Sequence, residues 1–206
     1  MTVQLIPTTI FAQSNVFNQN LNIKSNKENI INELVELDKK YENITFDFNT
    51  SKNLSQESLL KFDTVEDFEK FIIENEKENG TNKILVELDE NNNKLSKSYE
   101  GTETVTKWMP LNIFNIFCNF NTDVSYIYDY KNNKPYFVKG TDVTSYTTGL
   151  NIALSWTQTS KQQNVQQNGQ KLSSIVNGYW LTGVEIAGLP IGFKYKQSYE
   201  TVLIYK

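Results

Sequence analysis

"NIALSWTQTSKQQNVQQNGQKLSS", residues 151–174, is the stretch that decides the fold class. Ile152, Leu154 and Trp156 fall on one side of an extended chain and Asn151, Ala153, Ser155 and Thr157 on the other, a period of two that predicts a half-buried strand. Asn168-Gly169 suits a type I′ or related turn, which makes the Gln-rich run the far end of a long hairpin, with Leu172 to Leu181 as its return.

Outward from this hairpin the pattern stays β. In "GVEIAGLPIGFKYKQSYETVLIYK" (183–206) a strand meets a tight Gly188-Leu189-Pro190 turn, Ile191, Phe193 and Tyr195 then alternate, and Thr201 to Tyr205 forms a last apolar strand. On the other side, "DVSYIYDY" and "PYFVKG" flank "KNNK" as a hairpin, with Asn132 and Asn133 at positions that take positive φ. "LNIFNIFCNF" (111–120) fits neither period cleanly and is assigned to strand.

The first half reads differently. Ile30, Ile31, Leu34, Leu37 and Tyr41 stand at helical spacing behind a Ser25 or Asn26 cap, and Ile44, Phe46 and Phe48 alternate in a short strand. In "DTVEDFEKFIIENEKENG" Asp63 or Thr64 caps a second helix, Glu66 and Asp67 complement its dipole, and Val65, Phe68, Phe71 and Ile72 form its apolar face up to a stop at Gly80. Ile84 to Leu88 is a strand, followed by a turn at Asn91 to Asn93.

Charge separates the two halves. Residues 1–107 hold 12 Lys against 19 acidic residues, net −7, and residues 108–206 hold 8 Lys against 5 acids, net +3. This places a boundary near residue 101. The expected organisation is a possible secretion-signal remnant at 1–12, a loose segment at 13–26, an acidic α/β region at 27–100 and an antiparallel β-domain at 101–206. The fold class is thus α+β: a small helical and strand N-terminal part, then a mainly antiparallel sandwich or barrel-like domain.

"MTVQLIPTTIFAQSN" supports export, as a short apolar stretch ending at Ala12 before polar Gln13, Ser14 and Asn15. No positive residues precede it and Ile10 stands where a small residue is preferred; an ordinary first strand, and a cytoplasmic chain, is the alternative. No stretch is long and apolar enough for a transmembrane helix.

Composition excludes several chemistries. With no His, the Ser-His-Asp and Cys-His systems and the usual catalytic zinc sites have no base or ligand. All 20 basic residues are Lys, so the bidentate base contacts of Arg are absent; with no cationic block either, nucleic acid is not an expected partner. No phosphate-binding glycine loop occurs, "DENNN" (89–93) lacks the Gly and distal Glu of a calcium loop, and no cofactor is expected. Cys118, the one cysteine, reads as a buried, inert thiol. A glycosidase-type carboxylate pair would come from Asp123, Asp129, Asp142, Glu185 and Glu200, each more simply read as a strand or turn residue.

What remains is recognition. Tyr126, Tyr128, Tyr130, Tyr179 and Trp180, beside Asn, Gln and Thr, are the candidate binding residues for a protein or glycan; Tyr126, Tyr128 and Tyr130 share one strand face. Packing competes for the same residue types, and Trp108 and Trp156 are assigned to the core. The charge-poor hairpin 155–174 resembles the membrane-inserting segments of β-pore toxins, but the alternation fails between Gln158 and Gln170, where only Val165 is apolar. In overall style the chain is similar to secreted proteins of low-GC Gram-positive bacteria, a compositional likeness that carries no functional residues across. The expectation is an exported, non-enzymatic binding protein at the cell surface or outside; a toxin-like or immunity protein at a membrane, then a carboxylate hydrolase, are the alternatives.

Overall fold

A computed structural model describes residues 26–48, 60–78, 82–88, 99–111, 116–149 and 154–205. The expected leader, the loose segment up to residue 25, the Gly80 stop, the Asn91–Asn93 turn and "DENNN" lie outside the described residues, as does the side chain of Trp108.

Among the described residues the chain is mostly antiparallel β with two short helices. Helix α1 (26–40) buries Ile30, Leu34 and Leu37, its one apolar stripe. The strand β1 (Ile44–Asp47) and the short β2 (Leu60–Phe62) lead into α2 (Val65–Glu78). Thr64 caps α2: its Oγ1 accepts the Asp67 N–H at 3.1 Å, satisfying one of the unpaired first-turn donors. Val65, Phe68 and Ile72 are buried beneath it and Phe71 is half-buried, as the spacing predicts.

Seven longer strands follow: β3 (Lys83–Leu88), β4 (Tyr99–Leu111), β5 (Ile116–Lys131), β6 (Lys134–Gly149), β7 (Leu154–Gln166), β8 (Lys171–Ile186) and β9 (Leu189–Tyr205). Their turns carry the backbone the residues allow. Asn132 and Asn133 join β5 to β6 at φ of 53° and 64°, and Asn168 and Gly169 join β7 to β8 at 53° and 89°, with Gln167 also positive. The β8–β9 turn is Ala187-Gly188, at φ of 49° and 78°, rather than Gly188-Leu189-Pro190. Leu189 and Pro190 already pair with Ile186 and Glu185, so the two-residue turn puts them in the ladder. "LNIFNIFCNF" divides: Leu111 ends β4, Ile116 begins β5, and residues 112–115 lie outside the described residues.

The β8–β9 hairpin is longer than any strand beside it, so each flank takes two partners. On the β9 side, β1 pairs antiparallel along Gly192–Tyr195 and β3 parallel along Glu200–Tyr205. On the β8 side, β7 pairs antiparallel along Lys171–Thr182 and β2 parallel along Val184–Ile186. The acidic first half thereby contributes three strands to the sheet centred on the last hairpin.

Two cores result. At the hairpin tip, α1 and α2 pack with Phe46, Ile186, Ile191 and Phe193, where the Phe68 ring meets Phe193 edge-on at 5.1 Å. At its base, β3, β7, β8 and β9 face the three-stranded β4–β5–β6 sheet, and one core runs between them through Phe120, Val124, Phe137, Leu172, Val176, Trp180, Tyr199 and Leu203. Cys118 is fully buried there and its thiol pKa is pushed up by burial, as expected of an inert cysteine.

The failed alternation in 158–170 has a specific cause. Gln158 pairs with Gly178 and Ser160 with Asn177, leaving Thr159 as an extra residue, a β-bulge that shifts the phase of β7. Leu154, Trp156 and Gln158 face inward before it, Gln163 and Val165 after it. The inward glutamines join the two sheets where their edge strands β6 and β7 share no ladder. Gln158 Oε1 accepts from Ser145 N–H at 2.7 Å and Ser145 O–H at 2.6 Å, and Gln163 Nε2 donates to Ser125 O at 3.3 Å and Ser174 Oγ at 3.1 Å. Each such bond contributes about 1 kcal/mol net, and its loss inside the seam costs more than its formation contributes. Among the described residues no helix is long and apolar enough to cross a membrane.

Candidate functional site

Opposite the glutamine seam the two sheets part. Between β4–β5 and the ends of β3 and β9 lies a cleft of about 360 Å³, lined by Leu88, Tyr126, Tyr128, Tyr130, Tyr205 and Glu103, with the exposed Glu100 also bordering it. Its position follows from strand periodicity. Tyr126, Tyr128 and Tyr130 sit at every second residue of β5 and so share its inner face, and Tyr205 arrives from the last residue of β9.

Tyr128 is the centre of the cluster. It stacks on Tyr99, its cross-strand partner, with ring centroids 5.3 Å apart, and lies 6.0 Å from Tyr126, 6.0 Å from Tyr130 and 6.2 Å from Tyr205. The Tyr126 and Tyr130 planes are tilted 57° and 66° to it, so the rings form a concave wall instead of a flat stack. Tyr126 is buried, while Tyr128 and Tyr130 are half-buried.

The Tyr126 hydroxyl stands between the Tyr205 hydroxyl and the Glu103 carboxylate, close enough to interact electrostatically with both. Burial pushes the Tyr126 hydroxyl up to about 12, and the same burial, with neighbouring Tyr126, raises Tyr205 further. Glu103 is on the inner face of β4, in phase with buried Val105. Three other partly buried carboxylates have lysines: Glu69 with Lys40 at 2.5 Å, Glu185 with Lys61 at 3.6 Å and Glu200 with Lys83 at 2.9 Å. Among the described residues Glu103 has no ion pair.

The structure brings together three of the five candidate binding residues. Tyr179 and Trp180 are neighbours on β8 and point to opposite faces. Trp180 is buried in the core, its Nε1–H shared between Tyr199 Oη at 2.9 Å and Gln197 Oε1 at 3.0 Å, and Tyr179 lies on the outer face under Lys194 Nζ, 5.5 Å from its ring. Trp156, half-buried against the core as expected, donates Nε1–H to Ser145 Oγ at 2.9 Å.

The five acids considered for hydrolysis are held one by one. Asp142 pairs with Lys161, Glu185 with Lys61 and Glu200 with Lys83, while Asp129 accepts the Tyr130 N–H at 2.7 Å and Asp123 the Tyr146 hydroxyl at 3.5 Å. Glu100 and Glu103, which border the cleft, lie upstream of those five acids, in the stretch 99–107 where the charge changes sign along the chain. Thr102, Thr104 and Thr106 alternating with Glu103 and Val105 are the period-two signal that marks β4. No family model, curated protein or solved structure matches the chain.

Proposed function

We propose that the chain is an exported, non-enzymatic binding protein of a Gram-positive-type bacterium, whose two-sheet domain is a β-sandwich that recognises a glycan or protein in the tyrosine cleft. The observation that carries this reading is the convergence of four tyrosines and the Glu103 carboxylate on one concavity of about 360 Å³. That volume is at the small end of the roughly 300–1,000 Å³ of ligand pockets, suited to one sugar ring, one side chain or one headgroup. Half-exposed tyrosines offer apolar faces with a polar tip, and the Glu103 carboxylate accepts from hydroxyl or amine donors. The inward, hydrogen-bonded Gln158 and Gln163 weigh against a membrane-inserting hairpin, which needs an unbroken apolar face.

The test is a glycan array and a pull-down from culture medium and cell wall, run with the natural chain and with Tyr130→Ala. A ligand retained by the natural chain and lost by the variant is the expected result. Equal capture by both moves the site elsewhere, and vesicles emptied of dye by the natural chain favour the membrane reading.

A further inference from the structure

We infer that the group seated in this cleft is an alkylated organic ammonium, an inference that rests on the binding reading above and names the chemistry it recognises. Two independent features of the site converge on a cation. The first is the wall: half-buried Tyr128 and Tyr130, 6.0 Å apart and tilted 66° to each other, and half-buried Tyr205, 6.2 Å from Tyr128 and tilted 46° to it, line the cleft from different directions, with Tyr126 buried beside them. The negative faces of such rings attract a cation that is too weakly hydrated to resist leaving water, and alkylated ammonium groups meet that condition.

The second is the charge. Glu103 is on the inner face of β4, is partly buried, lines the cleft and has no ion pair among the described residues. Partly burying a carboxylate carries a cost that the molecule offsets with a lysine at Glu69, Glu185 and Glu200 and with a backbone N–H and a tyrosine hydroxyl at Asp129 and Asp123. Glu100, in phase with the outward threonines of β4, is exposed, and no lysine lines the cleft among the described residues. A neutral sugar would gain from the rings but would leave Glu103 uncompensated. A cation uses both.

The experiment is an NMR titration of the full chain with tyrosines isotopically labelled, adding choline in one series and its neutral, equally shaped analogue 3,3-dimethylbutan-1-ol in the other. Choline is expected to shift the cleft tyrosines and to bind at least ~10-fold more tightly than the analogue, the ratio that corresponds to a cation–π and charge preference. Glu103→Gln keeps the shape and is expected to remove most of that ratio. Tyr130→Leu, which keeps apolar bulk without a π face, is a second variant whose loss of choline binding supports the proposal even if Glu103→Gln fails to fold. Co-sedimentation with phosphatidylcholine but not phosphatidylglycerol vesicles identifies a lipid-borne ammonium; its absence beside choline binding identifies a soluble one. Equal affinity for choline and its analogue, or no shift with either, overturns the inference. The array and pull-down then judge the binding reading separately, since a neutral ligand lost on Tyr130→Ala leaves that reading standing.

Discussion

Gly101 of β4 lies directly across from Tyr126 of β5, and the tyrosine ring rests on the space its missing side chain leaves: a Cβ there would stand 2.7 Å from both Cε2 and Cζ of Tyr126. Tyr126 is buried beneath Phe137, whose ring meets it edge-on at 5.0 Å, so it has no room to retreat. Gly101→Val is expected to push the ring into the cleft, costing about 1–3 kcal/mol and abolishing ligand capture. Urea denaturation together with the binding assay checks both; unchanged stability would mean that the ring has another place to go.

The β6–β7 seam predicts a different kind of loss. Gln158 satisfies the Ser145 N–H and O–H through one oxygen and reaches Val143 O at 3.3 Å through its nitrogen. Gln158→Leu keeps the volume but leaves these groups without their partner, at about 1–3 kcal/mol for a buried donor. The exposed Gln162, on the same strand but facing outward, is the control, and Gln162→Leu is expected to change stability by less than about 0.5 kcal/mol. Comparable losses at both positions would show that the seam is not closed by the inward glutamine.

The contrast between these glutamines also shows what was legible in the sequence. Local signals survived: the Thr64 cap, the apolar stripe of α2, the positive-φ asparagines of the β5–β6 turn and the strand ending in Tyr205 are all set by neighbours in the chain. The bulge at Thr159 was visible only as an interruption, because an extra residue reverses the phase without leaving a type of its own. Pairings between distant segments carried no signal. That β2 and β3 lie parallel to β8 and β9, over 100 residues away in the chain, depends on which flank of a long hairpin is left open. Of the cleft, the β5 tyrosines were found by their period, whereas Glu103 and Tyr205 joined them only through the packing of two sheets.

Around Trp180 the hydrogen bonds predict an order of effects. Gln197 Oε1 accepts from both Trp180 Nε1–H at 3.0 Å and Tyr199 Oη–H at 2.5 Å, while Trp180 also reaches Tyr199 Oη at 2.9 Å. Tyr199→Phe leaves the indole donor its bond to Gln197 and is expected to cost about 1 kcal/mol, whereas Gln197→Leu strands the buried tyrosine hydroxyl as a donor and is expected to cost about 1–3 kcal/mol. Chemical denaturation of the two single variants tests the order, and its reversal would place the main bond elsewhere.

Alkaline pH supplies the last prediction. Burial raises the hydroxyls of Tyr126, to about 12, and of Tyr199 and Tyr205 still further, from an ordinary value of 10.0. In the unfolded chain these groups lose their protons near that ordinary value while in the folded chain they keep them, so over that interval the folded state binds more protons. Stability therefore is fully present below pH 10 and falls as pH rises toward 12 and beyond, the sign required when a folded-state pKa is raised. Tyrosinate absorbance followed with circular dichroism is expected to show an early group of exposed tyrosines ionising reversibly, then a late group ionising together with loss of structure. Tyr126→Phe removes one of the late group, so the stability of that variant relative to the natural chain should improve as pH rises from 10 to 12. A difference between the two chains that stays constant across this range would mean that Tyr126 ionises in the folded cleft as readily as in the unfolded chain, and would separate its packing from its proton.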